Sequence, residues 1–191
     1  MKATYRYSGS DRFSSDRSVT VDESTALWLA RMCFGESGAD CTTNQISAML
    51  WSMMHRFFLH PARSKWVTLT FLVRRFSQPI NPRWSEGGDL AIKYAGTKYT
   101  TPSKMERRKH IQELQWNDMP WHIEDTIDRF RKGLLPPPET LQQIEKRRIS
   151  NWASHHDMKK KFPWGMSFGD LNWFFEDRKL INGTVVIDHW R

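Results

Sequence analysis

Asp22-Glu23-Ser24-Thr25-Ala26-Leu27-Trp28-Leu29-Ala30-Arg31-Met32-Cys33-Phe34-Gly35-Glu36-Ser37-Gly38 is the run on which the fold turns. Asp22 suits an N-cap and Glu23 the first turn of a helix, where an acid meets the positive end of the backbone dipole. Ala26, Leu27, Ala30, Cys33 and Phe34 recur at helical spacing near one face, which predicts an apolar helix over 22–34. Gly35 is the expected terminator. Glu36 then emerges at the end of a buried helix beside Phe34. Desolvation raises a carboxyl pKa, so a Glu in such a setting can stay protonated and serve as a general acid. A surface Glu in a helix-ending turn is the plainer alternative.

Working outward, Asp40 to Thr43 supplies turn and cap residues. A second helix follows over 43–59, with Ile46, Met49, Leu50, Met53, Met54 and Phe57 on its apolar face and His60-Pro61 at its end. Ser64 to Phe76 reads as a buried helix by its length. Gln78 to Gly88 reads as a loop. Polar amphipathic helices are expected over 103–116 and 119–132. Pro136-Pro137-Pro138 breaks the chain, and 139–152 reads as a charged helix. Phe162 to Phe175 is aromatic, and Thr184-Val185-Val186-Ile187 is the one small β element expected. Residues 1–20 read as a polar flexible arm. The fold class is therefore mostly α, with a main domain over 21–135 and a C-terminal helical and aromatic extension over 136–191.

An apolar helix, then Glu-Ser-Gly, then an amphipathic helix resembles the catalytic segment of lysozyme-like peptidoglycan lytic transglycosylases. Ala30 to Glu36 is similar to the Ala-Arg-x-x-x-Gly-Glu opening of SleB-type cell-wall hydrolases. Gln45 and Arg56 stand where that group has a Gln and a basic residue on the next helix, with a one-residue insertion. Phe76-Ser77-Gln78-Pro79-Ile80-Asn81-Pro82 resembles the Gly-Leu-Met-Gln loop that faces the catalytic Glu, with Ser77 in place of Met. Ala91 to Gly96 is similar to the Ala-Tyr-Asn-Ala-Gly element, with the Tyr displaced to Tyr94 and the Asn missing. The likeness covers residues 22–100.

This resemblance implies a lysozyme-like helical fold and cleavage of the β-1,4 bond between N-acetylmuramic acid and N-acetylglucosamine. Glu36 would protonate the glycosidic oxygen and then act as base on the C6 hydroxyl, giving a 1,6-anhydro end. Ser37, Ser77, Gln78, Asn81, Trp84 and Tyr94 are the implied substrate contacts. A muramidase instead needs a second carboxylate about 5–9.5 Å away. Asp40, Glu86 and Asp89 are available for it.

At 191 residues the chain is long enough for one domain with an extension. No run of about eighteen apolar residues marks a membrane span. The polar start lacks the apolar core of a secretory signal. A wall-cleaving enzyme of this kind is expected to be made in a host cytoplasm and carried to the wall in a bacteriophage virion, or released through a membrane lesion. Partners would be peptidoglycan glycan strands and other virion proteins.

The net charge of +8 favours anionic partners such as peptidoglycan, teichoic acids, lipopolysaccharide or nucleic acid. Arg107-Arg108-Lys109, Lys146-Arg147-Arg148 and Lys159-Lys160-Lys161 are basic clusters, read most simply as solvated helix faces. Of ten tryptophans, Trp28, Trp51 and Trp66 read as core, and Trp84 as a sugar-stacking face. Cys33 and Cys41 are expected as free thiols, with no His near either in sequence.

His55, His60 and His155-His156-Asp157 form no zinc array, and no phosphate loop or Gly-x-Ser-x-Gly elbow occurs, so no metal or cofactor is expected. Two rival classes remain. One is a non-catalytic virion structural protein that keeps the lysozyme-like fold. The other is a basic nucleic-acid-binding protein with tryptophans stacked on bases.

Overall fold

The computed structural model describes residues 4–6, 18–59 and 68–136, and the backbone of 151–154, 166–167, 172–175, 178–181 and 184–187. The described residues are mostly helical. The first helix, α1, runs Glu23–Ser37, capped by the Asp22 carboxylate, which accepts from Thr25 N. It continues through Gly35, so the expected stop there is corrected: Gly38, at φ 77°, ends the helix and donates its N–H to Phe34 O. A left-handed φ at the stop favours a residue without a Cβ. Gly35 instead lies buried inside the last turn.

α1 buries more than one face: Ala26, Ala30 and Cys33 are joined by Leu29, Met32 and even Arg31. The helix packs against α3 (Leu69–Phe76), α5 (Pro102–Glu113) and α6 (Trp121–Arg131), so little of it is left for solvent. α2 spans Thr43–Leu59, as its apolar period predicts. Ile46, Met49, Leu50 and Met53 are fully buried, and each such side chain contributes roughly 1.5–3 kcal/mol through lost water contact. Thr42 and Gln45 start this helix with a reciprocal cap: Thr42 N donates to Gln45 Oε1 (2.9 Å), and Gln45 N donates to Thr42 Oγ1 (3.2 Å).

α3 begins at Leu69, with the Thr68 hydroxyl accepting from Phe71 N. The earlier start expected at Ser64, together with Trp66 and His60-Pro61, lies outside the described residues. The expected loop after α3 is built from two 3-10 turns, Gln78–Ile80 and Pro82–Trp84. A short α4, Asp89–Lys93, follows. Proline sits at the first position of α5 and at the N-cap of α6, where its missing N–H costs nothing. One apolar cluster runs from Val21 to Leu135, with Trp28 and Trp51 packed on its edge.

Two expectations are corrected at the chain's ends. The N-terminal arm contains strands: β1 (Thr4–Arg6) pairs antiparallel with β2 (Ser18–Thr20). Tyr5 stacks on Phe130 at 4.9 Å and meets Trp51 edge-on at 5.7 Å, and its hydroxyl donates to Phe130 O. Three polar residues therefore order because one ring among them finds the core.

The extension, expected to be helical with one β element, is β wherever it is described. β3 (Asn151–Ser154) and β4 (Met166–Ser167) flank β5 (Asn172–Phe175) in an antiparallel sheet, and β6 (Arg178–Ile181) pairs with β7 (Thr184–Ile187). The expected strand at Thr184–Ile187 is thus present. Trp152, expected in a helix, stands opposite Phe174 in the sheet, where aromatic residues are favoured. Residues 139–150 lie outside the described residues, as do Lys146-Arg147-Arg148, Lys159-Lys160-Lys161 and His155-His156-Asp157.

Candidate functional site

Ser77 caps the end of α3, its N–H donating to Val73 O at 3.1 Å, and its side chain is fully buried. From there its hydroxyl donates to Glu36 Oε1 at 2.7 Å. The contact joins α1 to the 76–82 loop across 41 positions of sequence. Glu36 is half-buried in the last turn of α1, and the buried Cys33 lies one helical turn back. Burial pushes the Cys33 thiol well up, with Cys41 and Glu36 adding to the shift. A carboxyl held by a buried hydroxyl on a helix can exchange a proton at a fixed place.

Three further sets of contacts hold α1 and the loop in shape. Gly35 admits Pro79, whose ring fills the space a side chain would take. Arg107 Nη2, from α5, donates to Gly35 O at 2.9 Å. Asn81 ties the loop to itself: its Nδ2 donates to Arg75 O (2.6 Å), and its Oδ1 accepts from Arg83 N (3.0 Å). Asn81 is therefore a buried brace of the loop. At the base of the loop, the Arg56 guanidinium lies 4.0 Å over the Phe76 ring. Gln45, its expected companion, uses its amide oxygen at the start of α2.

The remaining predicted residues divide. Gln78 is exposed at the head of the first 3-10 turn. Ser37 turns toward α2, its Oγ 3.8 Å from Met49 Sδ. Trp84 and Tyr94 come together, stacked at 5.4 Å and 22°, with Tyr99 at 6.1 Å from Trp84. Part of one Trp84 face is thus already covered.

Arg108 holds this aromatic group from below. It donates to Trp84 O at 3.3 Å and to Tyr99 O at 2.9 Å, and its guanidinium lies 5.2 Å from the Trp84 ring centroid. Next to Trp84, Gln112 Nε2 donates to Ser85 Oγ at 2.8 Å. Ser85 and Gln112, with Glu86, Met105 and Lys109, line a cleft of about 560 Å³. Arg107, Arg108, Gln112 and Pro79 were not singled out by residue type. The basic cluster held two of them, but its sequence does not say which face is buried.

Among the possible second carboxylates, Asp40 is exposed and Glu86 lines the cleft just described. Asp89 is taken by Arg83, whose Nε donates to both carboxylate oxygens at 2.8 and 3.0 Å. That hydrogen bonding holds its carboxyl below the usual range.

Cys33 and Cys41 are both free and buried. The structure does bring a histidine to one of them: Cys41 Sγ lies 3.9 Å from His122 Nε2. Burial pushes the Cys41 thiol up to about 11, so it is held protonated rather than activated. Among the described residues, no three of His, Cys, Asp and Glu converge as metal ligands, and no helix is long and apolar enough to cross a membrane.

Compared with known proteins, the chain matches no family model, no curated protein and no solved structure.

Proposed function

We propose that this protein cleaves peptidoglycan glycan strands at the β-1,4 bond between N-acetylmuramic acid and N-acetylglucosamine, with Glu36 as general acid and then base. The observation that carries the proposal is the hydrogen bond from Ser77 to Glu36. The sequence resemblance requires the 76–82 loop to face this Glu, and the two segments meet there through a buried hydroxyl. Arg56 at the root of the loop and Arg107 on the Gly35 carbonyl keep both parts in register.

In this reaction Glu36 protonates the glycosidic oxygen as the bond breaks. The substrate's own N-acetyl group assists at the anomeric carbon, so no second carboxylate takes part. Glu36 then removes the proton of the C6 hydroxyl as it closes the 1,6-anhydro ring, which restores the acid. Gln78, exposed on the loop, would bind the sugar. The net charge of +8 concentrates the enzyme on the anionic wall. Carriage in a bacteriophage virion would bring it there.

Digestion of purified peptidoglycan, with mass spectrometry of the soluble fragments, tests this directly. Wild type should release anhydro-muramyl ends, and Glu36→Gln, which is nearly isosteric but cannot ionise, should release none while melting at the same temperature. Reducing muramyl ends would move the enzyme to the hydrolases, with Glu86 or Asp40 as the next residue to replace. Fragments from the Glu36→Gln protein would sink the assignment. Silence from both proteins would turn attention to a non-catalytic virion role or nucleic-acid binding.

A further inference from the structure

A second cleft, of about 370 Å³, opens beside α3 and the Asn81–Arg83 turn. Arg74, Arg75 and Arg83 line it together with Thr68, Thr70 and Phe71, and none of its described lining residues is a carboxylate. Arg83 has an acidic partner, Asp89 at 2.5 Å, and Arg75 stands near enough to that carboxylate to help lower its pKa. Arg74 is in an unusual position. Its guanidinium lies 4.4 Å from the centroid of the Trp28 ring, and that of Arg31 lies 4.4 Å from the same ring. Arg74 Nε is buried and makes no hydrogen bond.

Two like charges on one indole repel, and a buried donor without an acceptor is costly. Burial lowers the Arg31 pKa, and the neighbouring Arg74 charge lowers it further. Phe71, 54% exposed, adds an apolar wall at the mouth.

We propose that this cleft binds an oxyanion, a carboxylate or a phosphate, on the guanidinium forks of Arg74 and Arg75. Such a group would set a negative charge among the crowded cations. Planar guanidiniums bind either anion through paired N–H donors, which a lysine cannot reproduce. Phe71 would pack against the body that carries the anion. Two sources share this chemistry: the carboxylates of peptide stems and the phosphodiesters of anionic polymers.

The test is a titration of the full-length, 15N-labelled protein with inorganic phosphate and, separately, with acetate, at ionic strength held constant with sodium chloride. Saturable shifts are expected at the Thr70, Phe71 and Arg75 amides for at least one anion. Arg75→Gln replaces an exposed side chain that stacks on no core ring, and it should weaken binding by about tenfold or more. Lys109→Gln, in the other cleft, should leave binding unchanged. Preference for acetate would assign the site to peptide-stem carboxylates, and preference for phosphate to phosphodiesters. Unsaturable shifts with both anions, or equal affinity in Arg75→Gln, would overturn the proposal. The titration reads no turnover, so its outcome is separate from that of the glycan digestion.

Discussion

Gly35 and Pro79 approach so closely that a Cβ built on Gly35 would stand 2.6 Å from Pro79 Cβ. In an exposed helix, Gly→Ala usually stabilises by about 1 kcal/mol. Here the added methyl must push the Pro79 ring, and with it the loop that carries Ser77. Gly35→Ala should therefore destabilise by about 1–3 kcal/mol, the usual range for overpacking. Thermal unfolding checks the sign, and a raised melting temperature would show that the loop yields without strain.

Ser77→Ala removes the hydroxyl that Glu36 accepts and leaves the carboxylate without that donor in a half-buried place. A loss of about 1–3 kcal/mol is expected in chemical denaturation. Turnover on peptidoglycan should fall as well, because the acid is no longer held. Unchanged stability would mean that water replaces the hydroxyl at no cost.

Gln78 is exposed, so its replacement tests binding without touching the core. Gln78→Ala should reduce fragment release while leaving the unfolding free energy within about 0.5 kcal/mol of wild type, as surface changes do. A large drop in melting temperature would make Gln78 a structural part of the turn.

Alkali should loosen the fold through groups held neutral by burial, the Cys33 thiol among them. Cys41 is raised from 9.0 to about 11, and Tyr5 from 10.0 to about 12. In both, folding favours the protonated form. The stability this confers is complete below the ordinary pKa and is lost as pH climbs through the folded value. Urea midpoints should stay level up to 9.0 and then decline toward 12. In the native protein both thiols should resist iodoacetamide at about pH 8, and both should react once unfolded. Rapid native alkylation would contradict the burial of Cys33 and Cys41.

The helices were legible where period and caps agree. α2 begins and ends where its apolar spacing says, and Asp22 caps α1 as its type suggests. Gly35 and Gly38 could not be told apart in this way. One is small because a proline from another part of the chain rests on it, and the other because the backbone turns left-handed. Sequence records the absent side chain in both cases but not the reason.

The strand at Thr4–Arg6 was hidden by its polar neighbours, since its order comes from Tyr5 meeting Phe130. The hairpin Arg178–Ile181 with Thr184–Ile187 has a local signal, the Asn-Gly pair between its strands in the sequence. The resemblance singled out the Glu36 and 76–82 segments, and Ser77 of that loop meets Glu36. Arg107 and Arg108 were not legible, because a run of three cations reads as one solvated face. In the fold, Arg107 reaches α1, Arg108 is buried, and Lys109 lines a cleft.

Arg107 and Arg108 are consecutive on α5, yet one grips the carbonyl beneath Glu36 and the other grips the carbonyls of Trp84 and Tyr99. The helix thus works as a rigid crossbar between two walls. Their spacing is set by a single peptide unit, not by the longer and softer path through the intervening loops. One residue inserted between these arginines would rotate the second by about 100° and uncouple the walls. Evolution can therefore lengthen or shorten the loops around the crossbar freely, while the crossbar itself has a fixed gauge.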